Sequence, residues 1–357
     1  MATIPLRIHP GFKLNGIPHS VQTLKEVGYD LIKEGAEHEK AIGDFLLDWS
    51  NDRPTVAVNT SGSTGKPKSI LLKKENMIAS AKATGSYFGL KQGDKALLCL
   101  PADYIAGKMM LVRAMVLGLE LDYVAPGSLP LKGISKQYDF AAMIPLQTEN
   151  SLAELKYIKK LIIGGAPVSE KLLARLKLST TDIFETYGMT ETITHIAVRA
   201  INGKDNTDYF TSLPGITVKA DNRECLVIYA PEILDGPLVT NDIVNLKSKT
   251  EFEWLGRFDN VINSGGIKLS PEKLEKKMAP FITDRFFLTG SEDAVLGQKL
   301  VLVLESKNVA PDFLPTLKKS ARLEKFETPK GILALTDFRE TPNGKVDRKA
   351  TLRLHLK

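Results

Sequence analysis

The stretch Thr60-Ser61-Gly62-Ser63-Thr64-Gly65-Lys66-Pro67-Lys68 decides how this chain is read. Glycines permit positive φ and close backbone approach, so successive N–H groups can converge on an anion, while Ser61, Ser63 and Thr64 add neutral donors and Lys66 and Lys68 add charge. On one side, 55–59 alternates apolar and polar residues and reads as a strand; on the other, Ser69-Ile70-Leu71-Leu72 reads as a second. A phosphate cradle between two strands is expected, with a plain polar hairpin turn as the alternative. A Walker-type loop is excluded. Thr60 stands where its first glycine belongs, Pro67 replaces the hydroxyl residue after Lys66, and no helix follows.

Downstream, helical and strand periodicities alternate. Helices are expected over 75–88, 105–117 and 151–157, and strands over 95–100, 121–124, 139–144, 160–163 and 182–187. Such alternation predicts an α/β fold with a mainly parallel sheet covered by helices. Upstream, Ala41, Ile42, Phe45, Leu46 and Trp49 recur at helical spacing, so 37–49 reads as an amphipathic helix on that sheet. Residues 1–35, with Pro5, Pro10 and Pro18, show little periodicity and are expected to drape over other elements. From 202 to 254, short runs broken by Gly, Pro, Asn and Asp predict a small β-rich subdomain. The rest reads as a small α/β lid with a strand over 300–304 and a helix over 313–326.

At 357 residues, 43% hydrophobic and 25% charged, the chain is long enough for about two domains. Its net charge of +6 comes from dispersed lysines, which favours anionic ligands such as nucleotides; no basic stripe with interleaved aromatics argues for nucleic acid. Cys99 and Cys225 stand far apart in apolar runs and read as buried free thiols of a reducing compartment, the cytoplasm. The N-terminus has no apolar leader core and no run approaches a membrane span, so membrane insertion is not expected. The oligomeric state stays open, a homodimer being one option.

Further motifs follow the loop. Gly164-Gly165-Ala166-Pro167 closes a strand, where ligands of open α/β sheets sit, although Gly-Gly before a Pro-started helix is also an ordinary connection. Tyr187-Gly188-Met189-Thr190-Glu191 offers a flat ring, a hydroxyl and a hard oxygen ligand for Mg²⁺. Leu238-Val239-Thr240-Asn241-Asp242 places a carboxylate that can accept both hydroxyls of a ribose or simply cap a turn. Gly256-Arg257-Phe258-Asp259 leads to Gly265-Gly266 and then to Ser270-Pro271, an N-cap and a first helical residue. Near the end, Thr341-Pro342-Asn343-Gly344-Lys345 sets a lysine at a tight turn, where lysines are usually just solvated.

In this order the motifs resemble those of the adenylate-forming superfamily of acyl-CoA ligases, luciferases and peptide-synthetase adenylation domains, from about Thr55 to the end. The resemblance implies a large N-terminal domain over 1–256 and a mobile lid over 257–357, hinged near Asp259. It implies that Thr60, Ser61, Gly62, Ser63, Thr64, Gly65, Lys66 and Lys68 hold the phosphates of ATP. Gly164, Gly165, Ala166 and Pro167, with Tyr187, Gly188 and Met189, would lie against adenine, and Asp242 and Arg257 against ribose. Glu191 would hold Mg²⁺ beside Thr190, Gly265 and Gly266 would line the channel for the CoA thiol, and Lys345 would be the mobile lysine of the first half-reaction. ATP, Mg²⁺, CoA and a small carboxylic acid follow as the partners.

The acyl pocket is expected near Pro101-Ala102-Asp103-Tyr104-Ile105-Ala106-Gly107-Lys108, walled by Tyr104 and Gly107. Lys108 and Arg113 in that helix either face water or meet a second carboxylate of the acid; Lys108 is the first choice, with Arg113 and His195 behind it. Within the superfamily, the short length and the continuation Thr192-Ile193-Thr194-His195 resemble most the o-succinylbenzoate-CoA ligases of menaquinone synthesis. Only 59 residues precede Thr60, fewer than is usual, so an N-terminal subdomain is expected to be reduced or absent. An enzyme that loads a carrier protein and a non-catalytic nucleotide-binding relative remain open; retention of both Glu191 and Lys345 speaks against the second.

Overall fold

The computed structural model describes residues 8–60, 68–340 and 346–353, with Asn59, Thr60 and Lys68 described by their backbone alone. The chain divides into two compact units, Met1–Thr217 with Tyr229–Leu238, and Val218–Ile228 with Val239–Lys357.

The first unit opens with β1 (Lys13–Leu14), β2 (Ile17–Pro18), α1 (Val21–Glu34) and α2 (Glu37–Ser50), followed by the hairpin of β3 (Thr55–Thr60) and β4 (Lys68–Lys73). Then come α3 (Lys74–Phe88), β5 (Lys95–Leu98), α4 (Ile105–Leu117), β6 (Glu120–Tyr123), β7 (Tyr138–Met143), α5 (Pro145–Asn150), β8 (Ile158–Ile163), α6 (Glu170–Leu176), β9 (Asp182–Gly188), β10 (His195–Ala200) and β11 (Phe210–Ser212). Apart from β3 and β4, these strands form one sheet in the order β11-β10-β9-β8-β7-β5-β6-β1-β2. Every neighbouring pair from β1 to β9 is parallel; β2 at one end and β10 and β11 at the other are antiparallel additions. The parallel strands read as near-continuous apolar runs because helices cover them, and Leu97, Ala141, Leu161, Ile163 and Ile183 are core residues.

The chain steps from β5 outward to β6, then returns to place β7 on the other side of β5. That reversal makes a crevice at the carboxyl ends of β5 and β7, the place where open α/β sheets bind ligands. The β3–β4 hairpin pairs from Thr55 with Lys73 to Thr60 with Lys68, so both strands read from the sequence exist; the loop residues Ser61, Gly62, Ser63, Thr64, Gly65 and Lys66 lie outside the described residues.

Three local expectations are corrected. Residues 1–35 contain a full helix, α1, capped by Ser20, whose Oγ accepts from Thr23 N at 3.3 Å. Its contact face holds a glycine where an apolar stripe would show: an added Cβ at Gly43 of α2 would come within 2.6 Å of Gly28 O, so the two helices touch backbone to backbone. Of the helix expected over 151–157 only the 3₁₀ turn Leu155–Tyr157 forms; the α-helix comes earlier as α5, where Pro145 occupies the first turn and Gln147 Oε1 accepts from Ile144 N at 3.3 Å. Pro167 does not start a helix; Ser169 does, its Oγ accepting from Leu172 N at 3.2 Å to cap α6.

The second unit carries β12 (Thr217–Ala220), β13 (Cys225–Tyr229), β14 (Leu238–Leu246) and β15 (Glu251–Arg257), hydrogen-bonded in that order. There follow β16 (Ile262–Ser264), β17 (Ile267–Leu269), α7 (Pro271–Met278), β18 (Phe286–Asp293), β19 (Gly297–Glu305), α8 (Phe313–Ser320), β20 (Gly331–Leu335) and α9 (Arg348–Arg353). These strands form a sheet in the order β17-β16-β19-β18 with β20 parallel to β19, and Leu274, Met278 and Leu317 pack with Leu288, Leu300 and Leu302. The helix expected over 313–326 ends at Ser320, and Arg322 turns away at φ 49. Ser270 stands at the N-cap of α7, yet its Oγ donates to Leu255 O at 3.0 Å and not to the helix. Among the described residues no helix is long and apolar enough to cross a membrane.

Candidate active site

Parallel register brings the sequence motifs of the first unit to one edge of its sheet. β5 ends at Pro101 to Gly107, β8 at Gly164 to Pro167 and β9 at Tyr187 to Glu191, and His195 at the start of the antiparallel β10 pairs with Gly188. Glycine is needed at several of these ends. Gly165 has φ 84; an added Cβ at Gly164 would meet Thr186 Oγ1 at 2.4 Å, and one at Gly188 would meet Thr194 O at 2.4 Å. Gly107 likewise seats the first turn of α4 on the Pro101 carbonyl, which an added Cβ would approach to 2.3 Å. Tyr104 stands at the N-cap of α4 and Tyr187 packs on the Phe210 ring at 5.9 Å between centroids. Ala166, Met189 and Thr190 are half-buried and Pro167 is exposed along the same edge.

Glu191 lies in a 3₁₀ turn with Thr190, exposed and with no hydrogen bond or ion pair among the described residues. An exposed carboxylate without a partner among the described residues suits Mg²⁺, which keeps several waters and takes one or two carboxylates together with substrate phosphates. No cluster of three or more His, Cys, Asp or Glu able to hold a metal on its own occurs among the described residues.

Between α3, α4 and the β9–β10 turn lies an unusual cation. Arg113 is 1% exposed, and its NH2 donates to Thr194 Oγ1 at 3.2 Å and lies 3.4 Å from His195 Nδ1. Its Nε donates to Thr84 Oγ1 at 3.4 Å and its NH1 lies 3.5 Å from Met110 Sδ. Thr84 Oγ1 donates to Ser80 O at 3.0 Å, which leaves it to accept from His195 Nε2 at 3.4 Å. The network thus assigns the proton of His195 to Nε2, with Nδ1 accepting from Arg113. Burial, and then Arg113, hold His195 well below its ordinary value and keep it neutral. Burial also pushes Arg113 down, to about 9, so it stays charged at neutral pH. Among the described residues no hydrogen-bond partner of this buried guanidinium is an anion.

Lys108 has different surroundings. Its Nζ stands 5.1 Å from the centroid of the Phe45 ring on α2; burial pushes the amine down while Asp48, Asp103 and Asp44 pull it back up. The lysine thus has an aromatic ring beside it and three carboxylates in its electrostatic surroundings, with burial the larger effect. The alternative that Arg113 faces water is excluded by its burial. Thr84 and Thr194 were not singled out from the sequence. The available signal was a hydroxyl at Thr84 inside the buried stripe of Met77, Ala81 and Phe88.

In the second unit, β14 and β15 pair Asp242 with Arg257. Asp242 is 6% exposed; its Oδ1 accepts from Trp254 Nε1 at 3.1 Å and lies 3.7 Å from Arg257 NH1. Arg257 NH2 also donates to Asp259 Oδ2 at 2.8 Å, and Asn241 Nδ2 to Asp259 Oδ1 at 3.1 Å, so Arg257 and then Asn241 hold the Asp259 carboxyl below its usual range. Gly265 and Gly266, at φ 60 and 83, form the two-residue turn joining β16 to β17, a backbone that demands glycine whatever else passes there. Lys345 lies outside the described residues. Cys99 and Cys225 are free and buried, and burial pushes the Cys99 thiol up to about 12, which removes it as a nucleophile.

The 2-succinylbenzoate-CoA ligase of Escherichia coli (strain K12) is 25% identical over 326 residues, covering 86% of this chain and 70% of that protein. The solved acyl-CoA synthetase (AMP-forming)/AMP-acid ligase II-like protein of Dyadobacter fermentans is 35% identical, with a TM-score of 0.62 over 92% of this chain and 98% of that one. The o-succinylbenzoate coenzyme A synthetase of Bacillus subtilis, in complex with ATP and magnesium ion, has the same fold at a TM-score of 0.69 and 21% identity, over 83% of this chain and 69% of that one. Residues 19–228 match the model of the AMP-binding enzymes, and this chain belongs to that family.

Proposed function

We propose that the chain is an AMP-forming acid-CoA ligase whose acid carries a second carboxylate, 2-succinylbenzoate, and that it serves menaquinone synthesis. The reaction has two steps. A carboxylate oxygen attacks the α-phosphorus of ATP and pyrophosphate leaves; a CoA sulfur then attacks the acyl carbon and AMP leaves. The first step brings like charges together, at about 4 kcal/mol per unit pair at 4 Å and an effective dielectric near 20, so cations must be in place beforehand. Mg²⁺ held by Glu191 would neutralise phosphate charge, Lys66, Lys68 and the hydroxyls of 60–64 would hold the β- and γ-phosphates, and Lys345 would bridge carboxylate and α-phosphate. Asp242 and Arg257 would take the ribose, Gly164 to Pro167 and Tyr187 the adenine, and Gly265-Gly266 the thiol. No protein nucleophile is required, which agrees with a neutral, buried His195 and inert buried thiols.

The observation that carries the choice of acid is Arg113. A buried guanidinium met, among the described residues, only by hydroxyls, an imidazole and a thioether leaves several kcal/mol of charge burial uncompensated. An aromatic carboxylate that does not react supplies the missing anion. Carboxylate-dependent exchange of pyrophosphate into ATP across a panel of mono- and dicarboxylic acids tests the reading: 2-succinylbenzoate should support the fastest exchange. Absence of exchange with every acid would leave the non-catalytic alternative standing.

A further inference from the structure

The two polar sites of the first unit, Glu191 and the Arg113 cluster, are joined through Thr192, Ile193 and Thr194, and the backbone of Ile193 is strained. Ile193 has φ 67 and ψ −56, and Thr194 N donates to Thr192 O at 2.7 Å, closing a γ-turn of the rare positive-φ kind. A β-branched residue is a true outlier there, and the space is not open, since Ile193 is 2% exposed. Strain of this sort persists only where the surroundings over-determine it.

The surroundings are specific. Thr192 Oγ1 accepts from Met189 N at 3.0 Å and stands 2.9 Å from Met189 O and 2.8 Å from Thr194 O, so a single buried hydroxyl ties the two ends of the turn that carries Glu191. Ile193 N donates to Thr190 O at 2.9 Å. On the far side, Thr194 Oγ1 accepts from Arg113, and His195 is pressed against Gly188, where an added Cβ would lie 2.5 Å from His195 Cα. No slack residue separates the candidate metal ligand from the candidate acid-binding cation.

We propose that Thr192 and Ile193 are positioning residues that couple the two sites. A carboxylate seated on Arg113 also accepts a hydrogen bond from the Thr194 hydroxyl, fixes Thr194, and thereby holds the strained turn with Glu191 in its binding orientation. Part of the ordering cost of the metal-nucleotide site is then met by the acid, and by linkage the nucleotide tightens acid binding by the same factor. This inference rests on the reading of Arg113 as the site of a second carboxylate.

Calorimetric titration with Mg²⁺ and α,β-methylene-ATP, whose α–β bridge cannot be cleaved to transfer AMP, measures the coupling directly. Wild type should bind this nucleotide at least about fivefold more tightly with 2-succinylbenzoate present than without it, and show no such gain with 4-oxo-4-phenylbutanoate. Ile193→Gly, which relaxes the turn, should cut the gain below about twofold while acid-free nucleotide affinity stays within about threefold of wild type. Thr192→Val, which keeps the buried shape and removes the tie, should do the same and serves alone if the glycine variant does not fold. Undiminished coupling in the folded variants, or none in a wild type that exchanges pyrophosphate with 2-succinylbenzoate, overturns the inference. Absence of exchange with any acid overturns the reading beneath it as well.

Discussion

Arg113 and Lys108 stand five positions apart on one helix, and their surroundings assign them different work. Lys108 lies beside the Phe45 ring with three carboxylates partly offsetting its burial, whereas among the described residues no hydrogen-bond partner of Arg113 is an anion. Arg113→Met should therefore lose discrimination between 2-succinylbenzoate and 4-oxo-4-phenylbutanoate by at least roughly tenfold in kcat/KM, about 1.4 kcal/mol, while Lys108→Met keeps it. The acid-free Arg113→Met protein should be at least as stable as wild type, because an uncompensated buried charge is gone. Discrimination retained by Arg113→Met and lost by Lys108→Met would reinstate the lysine. His195 adds a pH signature. Its folded value is depressed, so its contribution to stability is present above the unfolded value of 6.5 and is lost as pH falls below it, where only the unfolded chain takes up the proton. Urea midpoints compared between about pH 7.5 and 5 should fall more steeply for wild type than for His195→Gln. Parallel curves would mean that His195 is not held neutral.

At the scale of elements, what could be read from the sequence was whatever wrote itself as apolar periodicity. Helix α4 was expected over 105–117 and observed as Ile105–Leu117, and the strands that build the ligand-binding edge were each found within a few residues. The misses involve contacts that apolar periodicity does not flag. Helix α1 meets α2 at Gly28 and Gly43, where a glycine interrupts the run of Val21, Leu24 and Leu31. Thr84 was passed over because a hydroxyl inside an apolar stripe reads as tolerated polarity until Arg113 is seen to donate to it. The phosphate loop and Lys345 were legible only as motifs, and both lie outside the described residues. The glycine contact is itself testable. An added Cβ at Gly43 meets backbone at 2.6 Å and Ile32 Cγ1 at 3.0 Å, so Gly43→Ala should cost about 1–3 kcal/mol by chemical denaturation. Gly127→Ala, with nothing within 4 Å of the new Cβ, should be nearly neutral. Equal effects at both positions would mean that the helices can separate at little cost.

For the whole molecule, the constraint is that one acyl carbon must meet two different partners in turn. Adenylation needs a cation between two anions; thioester formation needs that place cleared for a sulfur. If Lys345 is the cation of the first step, it contributes nothing to the second, and the two half-reactions should come apart on mutation. Lys345→Ala is expected to abolish pyrophosphate exchange by at least about a hundredfold while transfer of a supplied acyl-adenylate to CoA stays within about threefold of wild type. Asp259 gives the complementary case. It sits in the 3₁₀ turn Phe258–Asn260, its carboxylate held by Arg257 and Asn241, and proline there would restrict φ at the proposed hinge. Asp259→Pro should spare exchange and stop CoA transfer. Single-turnover assays of each half-reaction decide the matter: equal loss of both steps in Lys345→Ala would make the lysine a general binding residue, and loss of exchange in Asp259→Pro would place Asp259 in the adenylating site and the hinge elsewhere.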